Sequence, residues 1–97
     1  MPNEKTETKE LEYKGKPLRR CNNDIYYGNF TDSHIIYLQI LSFTNVNGEE
    51  IADKINIQLL SNDESLPITS RIIREGTRNG LYNAMEIGAI WLERALA

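Results

Sequence analysis

A thiol beside an imidazole is the smallest nucleophilic pair a chain can carry, and this sequence holds one cysteine, Cys21, and one histidine, His34. Polar clusters at 22–24 and 31–33 predict two turns, because short polar side chains tolerate left-handed backbone and bond to it locally. Folded that way, Cys21 lies near Ile25, while His34 stands level with about Asn29. The offset is roughly 13 Å at about 3.3 Å per residue, beyond hydrogen-bond reach. Cys21 therefore reads as a buried or half-buried structural thiol and His34 as a surface or edge residue. A single cysteine closes no internal disulfide, and no ligand cluster has zinc spacing. The acids Asp24, Asp32, Glu49, Glu50, Asp63 and Glu64 fall in turns and on helix surfaces, where carboxylates usually cap backbone amides. No glycine-rich phosphate loop, Gly-x-Ser-x-Gly elbow or calcium loop is present. The expectation is a non-catalytic protein with no catalytic residue, no metal and no cofactor.

Cations offer a different chemistry. Lys14, Lys16, Arg19 and Arg20 form one cluster, with Tyr26 and Tyr27 nearby as stacking surfaces for a single-stranded nucleic acid. Arg71, Arg74 and Arg78 follow at i, i+3 and i+7, one stripe if that segment is helical. Weak RNA or single-stranded DNA contact through Lys16, Arg19, Arg20, Arg71, Arg74 and Arg78 is thus one functional expectation. The charge balance opposes it: the chain carries a net −3, whereas nucleic-acid-binding domains are normally basic. Solvated arginines paired with nearby acids account for the same residues.

The positioning elements centre on a hairpin from His34 to Leu60 that turns at Asn47 and Gly48. Asn-Gly suits a type I′ turn, which needs φ > 0 at both central residues. With that pair as the loop, cross-strand partners have numbers summing to 95. Ile36 then opposes Leu59, Leu38 opposes Ile57, Ile40 opposes Ile55 and Thr44 opposes Ile51. Residues two apart share a face, so one side of the hairpin is almost wholly apolar. Shorter strands are expected at 18–21 and 25–27. Residues 66–75 fit a short helix through Ile68, Ile72 and Ile73, with Gly76 closing it, although the isoleucines also suit a strand. A last helix runs over 81–96, with Asn79 as its N-cap. Its stripe of Leu81, Ala84, Met85, Gly88, Leu92, Ala95 and Leu96 is expected to cover the apolar sheet face, with Gly88 permitting close approach.

The fold expected is a small two-layer α+β domain over 13–97, a four-stranded antiparallel meander packed on a C-terminal helix, with a possible short helix before it. Residues 1–12, rich in Glu and Lys, read as a disordered charged tail. No apolar run spans a membrane and the N-terminus lacks a signal-peptide core, so the expected location is cytoplasmic. Two surfaces exceed what this core needs: Tyr37, Leu41 and Phe43 on the outer hairpin face, and Ile87, Ile90 and Trp91 on the helix. Clusters of exposed apolar side chains mark protein contacts, so the leading expectation is a protein-interaction or regulatory module that self-associates or binds another protein through these six residues.

Overall fold

The computed structural model describes residues 9–97, with side chains from Leu11 onward; the first eight residues of the expected tail lie outside them. Eight strands and one helix follow in order: β1 (Lys9–Tyr13), β2 (Lys16–Cys21), β3 (Asp24–Tyr27), β4 (His34–Ile40), β5 (Phe43–Val46), β6 (Glu49–Ala52), β7 (Lys54–Ser61), β8 (Ile72–Asn79) and α1 (Leu81–Leu96). Six strands form one antiparallel sheet in the order β1-β2-β3-β4-β7-β8, and β5 and β6 form a separate two-stranded ribbon. The architecture is the expected α+β pair of layers, with six strands in the main sheet rather than four.

The central register is the expected one. Ile36, Leu38 and Ile40 oppose Leu59, Ile57 and Ile55, and Thr44 opposes Ile51. Between the two sheets the same pairing continues, because Leu41 N–H donates to the Lys54 carbonyl at 2.7 Å and Asp53 N–H to the Ser42 carbonyl at 2.9 Å. The hairpin thus bends out of the main sheet without slipping. Asn47 and Gly48 both have positive φ, as the turn requires.

One added strand overturns a sequence expectation, and the other is the strand alternative that the isoleucines of 66–75 left open. Residues 9–12, expected in the tail, are strand β1, with Leu11 opposite Leu18 and Tyr13 opposite Lys16. Lys14 and Gly15 supply the tight turn at positive φ, so Leu11 and Tyr13 alternate onto one face instead of standing in a charged run. Residues 66–75 contain a 3₁₀ turn at Ile68–Ser70, and from Ile72 the chain is the edge strand β8. β8 carries a bulge: Arg74 pairs with Leu59 and Ile72 with Leu60, leaving Ile73 extra, so two adjacent isoleucines that break strand alternation are accommodated in a strand. Gly76 ends no helix; it sits mid-strand opposite Ile57. The helix starts where expected, but Gly80 rather than Asn79 is its N-cap.

Helix α1 lies against β4, β7 and β8. Ala84, Met85, Gly88 and Leu92 of the expected stripe are buried over Ile36, Leu38, Ile55, Ile57 and Leu59. A Cβ on Gly88 would stand 3.0 Å from Ile36 Cγ2, so the glycine does set the helix-to-sheet distance. Six strands at about 4.8 Å spacing make a sheet roughly 24 Å wide, whereas a helix is about 10 Å across. One helix cannot cover that layer: Ile25 and Tyr27 of β3 are still buried in the core, but the β1–β2 margin stays open beside it.

Candidate functional site

The open side of the helix layer is apolar by construction. Leu11, Tyr13, Leu18 and Ile25 face the same way as the core, and with Leu81, Tyr82 and Met85 of α1 they line a hollow of about 310 Å³ with Arg20 at its margin. The Tyr13 ring meets Tyr27 edge-on at 5.7 Å, and the Tyr27 hydroxyl donates to the Tyr13 carbonyl at 2.8 Å. Burial, with smaller contributions from Tyr13 and Glu93, pushes the Tyr27 phenol up.

A second hollow adjoins the first, sharing Arg20, Leu81 and Tyr82 and adding Phe43, Ile51 and Ala52 from the ribbon. Together they make one concave, largely apolar surface from three elements, the sheet wing, the first turn of α1 and the ribbon, with Glu50 and Asn83 also in the lining. Tyr82 projects beside it at 86% exposure, with Leu11, Phe43 and Ile51 about half exposed. Nothing in the sequence marks Tyr82 or Leu11 as surface residues of a site, and Ile51 enters only through the hairpin register. The alternation of Leu11 and Tyr13 was the available signal, and the surrounding charges masked it.

The six residues expected on two interface surfaces do not keep that grouping. Trp91 is buried at 6% exposure, lying on Gly76 with its Cη2 3.2 Å from where a Cβ would stand and with the Arg74 guanidinium 4.6 Å from the centre of its ring. A strand at 72–79 supplies the surface that covers it, which a helix there would not. Ile87 is partly buried against the core. Ile90 is thus left alone among exposed Asn83, Glu86, Glu93 and Arg94. Phe43 belongs to the concave surface, Leu41 is exposed at the base of the ribbon, and Tyr37 lies on the other side of the sheet.

On that other side, Tyr37 stacks on Tyr26 with ring centres 5.1 Å apart, and Phe30 lies 6.1 Å from Tyr26. The Tyr37 hydroxyl donates to Asp24 at 2.8 Å. Burial first, then the bond to the Asp24 carboxylate, push the Tyr37 phenol up to about 12. Because the neutral phenol is favoured in the fold, this contribution to stability is complete below pH 10 and is lost as pH rises from 10 towards 12. Alkaline titration followed at the tyrosinate absorbance should show a late-ionising phenol that Tyr37→Phe removes; an unchanged titration in that variant would contradict the assignment.

The cations are dispersed. Lys16 and Arg20 are on the helix side of β2, and Arg19 is on the opposite side, its guanidinium 5.4 Å from the Phe30 ring centre. Arg74 and Arg78 lie on the helix side of β8, four strand spacings or about 19 Å from β2. Arg71 precedes β8 and is tied to the Leu66 and Glu64 carbonyls. The helical stripe of Arg71, Arg74 and Arg78 does not exist. Glu75, on the open face, accepts from Gln58 at 2.8 Å and Asn56 at 3.0 Å, bonds that hold its carboxyl below the usual range.

Cys21 and His34 are also apart. Cys21 pairs with Asp24, which pairs with Gln39; His34 is five residues back along β4, about 16 Å, and two strands across. Cys21 is exposed, which corrects the expectation of a buried thiol, since an odd-numbered position in β2 points to the uncovered face. The His34 Nδ1 meets Ser33 Oγ at 2.8 Å.

Fold and surface define a two-layer α+β domain with a half-covered helix layer. Comparison with protein-family models, curated proteins and solved structures found no match. No helix among the described residues is long and apolar enough to cross a membrane.

Proposed function

We propose that the protein is a non-catalytic interaction module that self-associates through the concave apolar surface around Tyr82. The observation that carries this reading is the continuity of that surface across the wing, the helix start and the ribbon, with a hollow and an 86% exposed projection in one patch. A two-fold contact requires such self-complementarity, because each copy offers the same patch to the other. The dispersal of Lys16, Arg19, Arg20, Arg71, Arg74 and Arg78 leaves the nucleic-acid reading with less support, since counterion release rewards cations gathered along one backbone path.

Sedimentation equilibrium from low to high micromolar tests the proposal. The wild type should dimerise, and Tyr82→Glu should weaken the dimer at least about tenfold, or roughly 1.4 kcal/mol. Ile90→Glu, on the polar outer side of α1, should leave it unchanged. A wild type that stays monomeric throughout, or a dimer broken by Ile90→Glu and indifferent to Tyr82→Glu, refutes this surface.

A further inference from the structure

The uncovered face of the main sheet is not uniformly polar. At one end it carries Gln39, Asn56 and Thr77, as a water-facing sheet should. At the other end Ile35 is buried at 2% exposure although no helix among the described residues covers this side. Two loops do so instead. The β3–β4 loop brings Phe30, and the β7–β8 connection brings Ile68, which is 76% exposed. Between them lies a cleft of about 340 Å³ with Ile35, Tyr37 and Leu60 among its lining residues, within the size range of small-molecule sites.

The walls are held in place. Asn62 donates its side-chain amide to the Asp32 carbonyl at 2.8 Å and the Phe30 carbonyl at 3.4 Å, and its backbone N–H donates to Ser33 at 2.9 Å. One residue thereby fastens the two loops to each other. Tyr37 is fixed from both sides, by the Tyr26 ring and by Asp24. A pre-formed cleft avoids the ordering cost that weakens binding to mobile loops.

Gln58, Ser61 and Asn62 also line the cleft, and one cation enters it. Arg71 lines the cleft, and its Nε and Nη2 donate to the Leu66 and Glu64 carbonyls at 3.0 and 3.1 Å. Those bonds set the plane of the guanidinium and leave Nη1 and one Nη2 hydrogen with no acceptor among the described residues. Asp63 is within electrostatic reach of Arg71, yet its Oδ1 already accepts from the Ser65 N–H at 3.0 Å and the Ser65 hydroxyl at 2.6 Å. A guanidinium edge presenting parallel N–H groups matches a planar carboxylate in bidentate fashion.

From this geometry we infer a binding site for a small carboxylate with an apolar, preferably aromatic, body: the body between Phe30 and Ile68 over Ile35, the carboxylate on Arg71. The site lies on the opposite side of the sheet from the association surface and does not depend on it.

The test uses 3-phenylpropionate and its uncharged amide, 3-phenylpropionamide, titrated into the full chain with isoleucine methyl groups observed by NMR. The carboxylate should produce saturable shifts at the Ile35, Ile68 and Ile72 methyls with a Kd of roughly millimolar or tighter, in line with the small size of the probe. The methyls of Ile55, Ile57 and Ile90 serve as internal controls and should stay still. The amide should bind at least about fivefold more weakly, as loss of a charge-assisted pair implies. Arg71→Gln should erase that preference. Ile68→Glu, at an exposed position where folding is insensitive, should abolish binding of the carboxylate. Absence of saturable shifts up to about 5 mM, equal affinity for acid and amide, shifts confined to other methyls, or full binding by Ile68→Glu would each overturn the assignment.

Discussion

Trp91→Ala should lower stability by about 3–5 kcal/mol, the range for truncating a buried aromatic. The indole is packed on the one residue of β8 without a side chain, Gly76, so nothing on that strand can move in to fill the space. The same substitution removes the ring beneath Arg74, an interaction worth about 0.5–1 kcal/mol at an exposed site such as this one. For a domain of this size each kcal/mol is worth about 4–8 °C, so the midpoint should fall by more than about 12 °C. Arg74→Ala alone should cost about 1 kcal/mol or less, because it leaves the indole seated. Urea unfolding of both variants separates the two contributions. Near-equal losses would mean that the guanidinium, and not the fit of ring to glycine, holds the helix end on β8.

Leu38→Ala should cost about 2–5 kcal/mol, the span for buried leucines. Leu38 is 0% exposed, sits at the middle of β4, and is paired with Ile57 on one side and Ile25 on the other. The neighbours on the sheet are held by backbone ladders and collapse poorly into a void, which places the expected value in the upper part of that range. Thermal unfolding would show it. A loss below about 1 kcal/mol would mean that this position lies at the boundary of the core.

The parts of the fold that sequence made legible share one property: two independent signals agreed there. At Asn47 and Gly48 the turn chemistry and the alternation of Ile36, Leu38, Ile40, Ile55, Ile57 and Leu59 demanded the same register. In α1 the 3.6-residue stripe and the glycine within it demanded the same contact face. Where a single signal stood alone it misled. Lys14 adopts positive φ, a conformation its side chain does not advertise, so the β1–β2 turn was hidden and Leu11 was assigned to a tail. Ile73 is the extra residue of a bulge in β8, and a bulge reads in sequence like a change of period. The surface suffered accordingly. Trp91 looks available when 66–75 is taken as a helix, one of the two readings its isoleucines allow, and Tyr82 gives no signal because the hollow beside it needs β1. Phe43, expected beside Tyr37 and Leu41 on the outer hairpin face, instead lines the concave surface with Leu81 and Tyr82, because the ribbon bends out of the main sheet.

The unbroken pairing from Ile40 and Ile55 through Ser42 and Asp53 into the ribbon has a consequence for sequence change. Each residue removed from β5 can be matched by its opposite number in β6 without disturbing a single pair below. Removing two such couples restores the original inside-outside alternation, so this arm is a length-tolerant appendage whose reach is adjustable in steps of about 7 Å. Insertions at Asn47 and Gly48 fall at the far tip, outside the main sheet. Variation concentrated in this arm would alter what the molecule grips while leaving the scaffold that Leu38 and Trp91 hold together untouched.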